Sequence, residues 1–175
     1  DNTNVSINLP CKVGLENIGA TCYMNATLQC LSNIKKLTTY LLNPNNIKLF
    51  KADKNRYKLT YAYSEVLINL WKDNKVSYYA PHNFKKTISK MNPLFEGINA
   101  NDSKDLILFI LETLHCETNT IEQEIPNNLP DNGQYDYNTT FKCFVEYFKN
   151  NYKSIISNLF YGMFNSMIKC SNCGI

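Results

Sequence analysis

Apolar residues recur every three or four positions through five segments of this 175-residue chain. That spacing places them along one side of an α-helix and therefore predicts amphipathic helices. The predicted helices cover residues 22–42, 59–71, 81–91, 102–115 and 140–152. Pro81 stands at the start of the third segment, where a proline fits the first helical turn. The fourth segment is apolar almost all round, as expected of a helix buried in a core.

The pattern changes towards the C-terminus. Residues 155–169 are rich in β-branched and aromatic residues with weak alternation, which predicts extended, strand-forming backbone leading into Cys170. The stretch 118–138 is crowded with Pro, Asn, Asp and Gly, and it predicts an exposed connection. The chain is therefore expected to be α+β, with a helical part over residues 1–153 and the beginning of a sheet over 154–175.

The overall composition is that of a folded protein. Hydrophobic residues make up 44% of the chain and aromatic residues 13%, which excludes an intrinsically disordered protein. The net charge of +3, from 18 basic and 15 acidic residues, argues against a nucleic acid or a membrane as the main partner. A chain of this length has room for about one domain.

The sequence also indicates a compartment. No segment approaches the roughly 18 consecutive apolar residues of a membrane span, and residues 1–10 lack the basic and apolar regions of a signal peptide. The seven cysteines are an odd number and lie far apart, which favours reduced thiols over a disulfide framework. We therefore expect a cytoplasmic or nuclear location.

The stretch from Gly14 to Leu31 reads GLENIGATCYMNATLQCL and carries a candidate nucleophile. The helical spacing begins directly after Thr21, which is predicted to be the N-cap and so places Cys22 in the first turn. Free N–H groups and the positive end of the helix dipole favour a thiolate there. These N–H groups and the side chain of Asn17 could stabilise an oxyanion. The alternative is a structural cysteine that begins an ordinary helix.

The same stretch resembles the cysteine box of the ubiquitin-specific proteases, G-L-x-N-x-G-x-T-C-Y-x-N-S-x-L-Q-x-L. All fixed positions match except one, where Ala26 replaces the family's serine. The resemblance implies a papain-like cysteine protease, with a mainly helical thumb portion followed by the first strands of a β fingers subdomain. It also implies that Cys22 is the nucleophile and Asn17 the oxyanion donor.

A second match covers residues 80–115. Residues 80–86 and 92–97 are similar to the family's S-P-x-x-F-K…P-x-F-x-G, and residues 100–115 resemble its Q-Q-D-A-x-E-F-L box. Ala100 and Asn101 replace the two glutamines, and Asp105 replaces the glutamate. The resemblance implies that Asp102 and Asp105 contact the basic C-terminal tail of ubiquitin. The alternative is that Asp102 caps a helix and Asp105 stabilises its first turn, and both roles can hold together.

A third match covers residues 154–174, which resemble the family's S-x-I-x-x-L-F-x-G…C-x-x-C at the start of the fingers. Cys170 and Cys173 form a C-x-x-C pair, which can present two thiolates to a tetrahedral zinc ion. No second C-x-x-C exists in the chain, so the pair is half a zinc site. A redox C-x-x-C is the competing interpretation, but no βαβ pattern precedes it.

The chain contains two histidines, His82 and His115, and neither matches the family's histidine box. Both histidines are expected to be structural. The catalytic base is therefore expected to lie outside this chain. The chain is expected to be inactive alone and to require the rest of the catalytic domain. The resemblance implies a deubiquitinase, a thiol-dependent hydrolase of the bond after the C-terminal glycine of ubiquitin. Its partners would be ubiquitin and ubiquitinated proteins. It needs no cofactor for catalysis, and structural zinc is expected only in the complete domain.

Two other classes of function are alternatives to this one. The first is a non-catalytic ubiquitin-binding or scaffold module of the same fold, and retention of both Asn17 and Cys22 argues against it. The second is a zinc-knuckle nucleic-acid module. The scattered basic residues and the single C-x-x-C argue against that class.

Overall fold

The computed structural model describes residues 12–71, 76–126, 136–164, 166 and 169–173. Within these ranges most of the chain is helical, and a short two-stranded parallel sheet accompanies the helices, with β2 packed against α4. The elements in chain order are β1 (Gly14–Leu15), α1 (Cys22–Ser32), α2 (Lys35–Leu42), α3 (Pro44–Ala52), α4 (Lys58–Trp71), β2 (Tyr78–Tyr79), α5 (His82–Met91), a 3₁₀ turn (Pro93–Phe95), α6 (Ser103–Thr118), α7 (Tyr137–Asn151) and α8 (Ile155–Phe160).

Helix α4 lies at the centre of the helical body and packs against α2, α3, α5 and α6. Its side chains at Tyr63 and Leu67 are completely buried, and the Tyr63 ring meets Phe84 of α5 edge to face at a centroid distance of 6.0 Å. Such a core draws its stability mainly from the apolar surface that it removes from water. Among the helices that the structure describes, none combines the length and the apolar character that crossing a bilayer requires.

The first predicted helix, over residues 22–42, is wrong as a single element because it breaks between α1 and α2. Side chains satisfy the carbonyl groups at the break. The Asn33 amide and the Ser32 hydroxyl each donate to the Gln29 carbonyl at 2.8 Å, and Thr38 donates to the Ser32 carbonyl at 2.7 Å. Polar side chains that bond to the backbone in this way compete with helix continuation.

Helix α3 was not predicted, although its start carries a recognisable signal. Pro44 is its first residue, and the Asn43 side chain accepts a hydrogen bond from the Asn45 N–H at 2.9 Å. An N-cap asparagine followed by proline is a common helix start. The weak apolar pattern hid the helix, because Phe50 is the single fully buried residue that it contributes.

The remaining four helical predictions are confirmed to within a few residues by α4, α5, α6 and α7. Pro81 occupies the N-cap of α5 rather than its first turn. Helix α6 is not buried all round: Leu106, Ile110 and Leu114 face the core, whereas Leu108 is 55% exposed. Its apolar outer face therefore belongs to the surface.

The strand predicted over residues 155–169 is wrong for its first part, which forms helix α8. Ser154 and Ser157 make a reciprocal capping box, with N–H to hydroxyl distances of 2.9 and 3.0 Å. Ile156 is completely buried, and α8 packs against α6 and α2. Capping and burial together outweigh the β-propensity of the isoleucines. In the second part of the predicted strand, residues 161–164 form neither helix nor strand, and residues 165, 167 and 168 lie outside the described part. The domain boundary predicted at residue 154 stays a prediction.

The predicted connection over residues 118–138 is anchored at its start. The buried Asn151 side chain exchanges hydrogen bonds with the N–H and carbonyl of Ile125 at 2.6 and 2.9 Å. The Asn119 side chain bonds in turn to the Asn151 carbonyl and the Lys153 N–H. Residues 119–126 are therefore held against the C-terminal end of α7 by hydrogen bonds at Asn119 and Ile125. Residues 127–135 lie outside the described part.

Candidate active site

The loop that precedes α1 has an unusual backbone. Gly19 has a φ of +112° and Ala20 a φ of +44°, both in the left-handed region. Glycine adopts such a φ without steric penalty, whereas alanine pays about 1 kcal/mol or more. Strain of this kind persists only where the surroundings hold the backbone in place, and it is often found at functional sites.

Cys22 is the first residue of α1, in the first turn as the sequence predicted, and it is exposed. Thr21 occupies the N-cap, but its side chain makes no capping hydrogen bond. In the described part of the chain, the N–H groups of Cys22, Tyr23 and Met24 have no acceptor. The thiol therefore lies beside free N–H donors and the positive end of the helix dipole, where negative charge is favoured.

Asn17 lies on the same loop with its side-chain amide in a defined orientation. Its Oδ1 atom accepts hydrogen bonds from the Thr21 N–H at 2.9 Å and from the Thr21 hydroxyl at 3.1 Å. The Nδ2 group has no partner among the described residues, so it remains available to an incoming acceptor. An amide donor and free helix N–H groups near one thiol are the components of an oxyanion hole.

Two further side chains of α1, to which the sequence pattern assigned no role, hold the loop in place. Asn25 Nδ2 donates to the carbonyls of Leu15 and Glu16 at 3.2 and 3.0 Å, and Gln29 Nε2 donates to that of Val13 at 3.1 Å. Their spacing of four residues, which puts both on one face of the helix, was the available signal. These hydrogen bonds connect α1 to β1 and to the residues on either side of it.

The start of α1 is also tied to the start of α6. The Tyr23 ring is buried and stacks on Phe95 at 6.5 Å, and its hydroxyl accepts a hydrogen bond from Asn101 Nδ2 at 3.3 Å. Tyr23 follows Cys22 in sequence, and Asn101 precedes Asp102. The contact therefore holds the helix start that carries Cys22 beside the helix start that carries Asp102 and Asp105.

Asp102 is the N-cap of α6, where its Oδ1 atom accepts a hydrogen bond from the Lys104 N–H at 2.8 Å. Asp105 lies in the first turn, and both carboxylates are exposed. The capping role of Asp102 is thereby confirmed. The contact of the two carboxylates with a basic partner stays a prediction.

Cys170 and Cys173 are exposed free thiols on one turn. The backbone N–H groups of Cys173 and Asn172, together with the Cys173 thiol, lower the pKa of the Cys170 thiol. A stabilised thiolate on a turn suits a zinc ligand. Within the described residues no cluster of three or more metal-binding side chains exists, and the zinc role of this pair stays a prediction.

The structure does not bring either histidine into a hydrogen bond with Cys22 or Asn17 in the part that it describes. His115 is buried, its Nδ1 lies 2.7 Å from the Ser154 hydroxyl, and its ring packs against Tyr152 and Tyr161. His82 is the exposed first residue of α5. The structural role predicted for His115 agrees with these contacts.

Stability should depend on pH through His115. Burial lowers the pKa of His115 below the value of about 6.5 that it has in an unfolded chain. Between these two pKa values the unfolded state binds more protons, so the free energy of unfolding rises with pH. The contribution of neutral His115 is fully present above about pH 6.5 and is lost as the pH falls through the folded-state pKa.

The test is the thermal midpoint measured between pH 5 and 7.5. We expect His115→Gln to flatten the slope of the midpoint against pH. His82→Gln is the matched control, because that imidazole is exposed, and it should keep the wild-type slope. An unchanged slope in His115→Gln would contradict the assignment.

A family model described as "Ubiquitin carboxyl-terminal hydrolase" matches residues 13–175. The chain belongs to the ubiquitin carboxyl-terminal hydrolase family, which confirms the resemblance found in the sequence. It is 34% identical over 164 residues to ubiquitin carboxyl-terminal hydrolase 15 of Homo sapiens, and this match covers 91% of the chain and 16% of that protein. It is 31% identical over 165 residues to ubiquitin carboxyl-terminal hydrolase 32 of Homo sapiens, and this match covers 92% of the chain and 10% of that protein. The chain thus spans less than a fifth of the length of these relatives.

Proposed function

We propose that this chain carries the nucleophile of a deubiquitinase, which hydrolyses the peptide or isopeptide bond after the C-terminal glycine of ubiquitin. The observation that carries the proposal is the exposed Cys22 at a helix start whose N–H groups have no acceptor among the described residues, with Asn17 on the same loop. Membership of the ubiquitin carboxyl-terminal hydrolase family, and the names of the relatives, support the choice of substrate.

The proposed reaction proceeds in two steps. The Cys22 thiolate attacks the carbonyl carbon of the terminal glycine, and the carbonyl electron pair moves onto oxygen. Asn17 Nδ2 and the first-turn N–H groups donate hydrogen bonds to that oxyanion. The oxyanion collapses, the amine leaves with a proton, and a thioester remains. Water then attacks the thioester, releases the ubiquitin carboxylate and restores the thiol.

Both steps need a group that moves protons. A base must accept the Cys22 proton, deliver it to the leaving amine and later take a proton from water. His115 is engaged with Ser154 and packed between aromatic rings, and His82 has no hydrogen bond to the site in the described residues. The proposal therefore places the base outside this chain, which requires the rest of the catalytic domain.

Reaction of the chain with ubiquitin that carries a C-terminal electrophile tests the assignment of the nucleophile. We expect one covalent adduct, located at Cys22 by peptide mass spectrometry, and no adduct in Cys22→Ala. Cys30 and Cys116 serve as internal controls because they are also exposed thiols. Of these three thiols, Cys22 alone stands at a helix N-terminus. An adduct that persists in Cys22→Ala would refute the assignment.

We infer that Asp102 and Asp105 bind the basic C-terminal tail of ubiquitin. Each carboxylate is exposed at the start of α6. The capping bond of Asp102 uses Oδ1 and leaves Oδ2 without a partner among the described residues. Charge-assisted hydrogen bonds from arginine or lysine would be the main interaction.

Substituting Asp102 separates binding from capping. We expect Asp102→Ala to weaken the binding of ubiquitin to the full-length protein by about 1–3 kcal/mol, the value of a charge-assisted hydrogen bond. It should lower the free energy of unfolding by only about 1 kcal/mol, the value of a cap. Affinity is measured by titration calorimetry and stability by urea denaturation.

Asp136→Ala is the matched control for this prediction. Asp136 caps α7 as Asp102 caps α6, accepting a hydrogen bond from the Thr139 N–H at 3.0 Å. The control should lose similar stability and keep full ubiquitin affinity. If Asp102→Ala and Asp136→Ala bind ubiquitin equally well, Asp102 has a structural role alone.

We also propose that Cys170 and Cys173 supply two of the four ligands of a structural zinc ion. The lowered pKa of Cys170 and the placement of both thiols on one turn support this role. Such an ion would cross-link this turn to a second ligand pair outside the chain.

A further inference from the structure

The hydroxyl of Thr21 makes hydrogen bonds that are unusual for an N-cap residue. A threonine at this position normally accepts from an N–H group of the first helical turn. Here Oγ1 instead accepts from the Ile18 N–H at 3.1 Å and donates to Asn17 Oδ1 at 3.1 Å. The Thr21 side chain is completely buried beneath the exposed Asn17.

These contacts determine which way the Asn17 amide points. A backbone N–H can only donate, so the Asn17 atom that faces the Thr21 N–H at 2.9 Å must be the oxygen. The hydroxyl provides a second donor to that same oxygen. With Oδ1 held by two donors from one buried residue, Nδ2 projects away from Thr21. Without the hydroxyl a single donor, the Thr21 N–H, holds Oδ1, and the amide can turn more widely about its χ2 bond.

The same contacts leave the helix start open. The single proton of the hydroxyl goes to Asn17, and its lone pairs face the Ile18 N–H rather than α1. The first-turn N–H groups therefore have no hydrogen-bond acceptor in the described part of the chain. An ordinary cap would occupy one of the donors that an oxyanion needs.

We propose that Thr21 is a positioning residue for the oxyanion hole: it orients Nδ2 of Asn17 and withholds its own hydroxyl from the N–H groups beside Cys22. This inference rests on the proposed function and adds a residue to it. Thr21 does not touch the substrate. It acts through Asn17, so its removal should matter only while the Asn17 amide is present.

The test is steady-state hydrolysis of a fluorogenic ubiquitin amide by the full-length protein. Thr21→Val keeps the shape and removes the hydroxyl, and it should lower kcat about tenfold or more with KM changed less than about twofold. Thr21→Ser, which keeps the hydroxyl, should restore most of kcat. Asn17→Ala should lower kcat by about 10²–10³-fold, the usual effect of losing one oxyanion donor.

The double variant decides whether Thr21 acts through Asn17. Adding Thr21→Val to Asn17→Ala should change kcat less than about twofold, because the group that Thr21 orients is already absent. Losses that multiply in the double variant would overturn the inference, as would a wild-type kcat in Thr21→Val. Should Thr21→Val fail to fold, Thr21→Ala removes the same hydroxyl without putting a methyl group in its place.

Thr27→Val is the matched control for a buried threonine on the same helix. Its hydroxyl donates to the Tyr23 carbonyl at 2.9 Å, away from Asn17. It should lower the thermal midpoint as Thr21→Val does and keep kcat. Full activity in Cys22→Ala would refute the proposed function itself. A strong loss in Asn17→Ala with none in Thr21→Val would refute only the role of Thr21.

Discussion

Replacing Cys22 with alanine is expected to lower the kcat of the full-length protein on a ubiquitin amide by at least about 10⁴-fold. Without the thiolate no thioester forms, and the remaining N–H donors can only polarise the carbonyl towards water. The measurement is release of a fluorescent amine from the C-terminus of ubiquitin. The 175-residue chain alone should show no multiple turnover in the same assay, because neither His82 nor His115 forms a hydrogen bond to Cys22 or Asn17 in the described part of the chain.

Cys30→Ala is the control for this prediction. Cys30 is an exposed thiol on the same helix, eight residues beyond Cys22. It should keep wild-type turnover in the full-length protein. Loss of activity in Cys30→Ala, or its survival in Cys22→Ala, would contradict the assignment. Multiple turnover by the 175-residue chain would instead identify His82 or His115 as the base.

Replacing Glu117 with alanine is expected to lower the free energy of unfolding by about 3 kcal/mol or more. Glu117 lies buried near the end of α6 and caps the start of α4 from outside that helix. Its carboxylate accepts from the N–H groups of Leu59 and Thr60 at 2.9 and 2.7 Å and from the Thr60 hydroxyl at 2.6 Å. Alanine would leave all three donors buried without an acceptor.

Urea denaturation measures this loss, which is large against the 5–15 kcal/mol that typically stabilises a protein. Glu112→Ala is the matched control, since Glu112 is exposed on the same helix and should change stability by less than about 0.5 kcal/mol. Glu117→Gln, which keeps one acceptor oxygen, should fall between the two. A loss below about 1 kcal/mol in Glu117→Ala would show that the N–H groups of α4 find other partners.

Local patterns predicted the features that depend on neighbouring residues. A helix start needs a change from turn-forming to periodic residues, and the change after Thr21 correctly placed Cys22 in the first turn of α1. The capping position of Asp102 followed in the same way. Four of the five predicted helices agree with the structure because their apolar periodicity is strong and long.

Reasoning from periodicity and composition failed where side-chain hydrogen bonds and burial decided the outcome. Residues 155–160 have the composition of a strand, yet Ser154 caps them and the core buries Ile156, so they form a helix. Residues 22–42 have continuous helical spacing, yet the Asn33 side chain bonds to the Gln29 carbonyl and the helix ends. Burial and side-chain hydrogen bonds exceed the fraction of a kcal/mol by which residues differ in propensity.

The residue types and spacing of the site were therefore determined by the sequence alone: a cysteine at a helix start, an asparagine five residues earlier and an aspartate at the start of another helix. Tertiary structure alone decided how these groups are held. Four features join residues that lie far apart in the chain or on opposite sides of a turn: the two-stranded sheet, the Asn25 and Gln29 bonds to β1 and its flank, the link from Tyr23 to Asn101 and the hydrogen bonds of the buried Glu117. No periodicity reports such contacts, because they depend on how the helices pack.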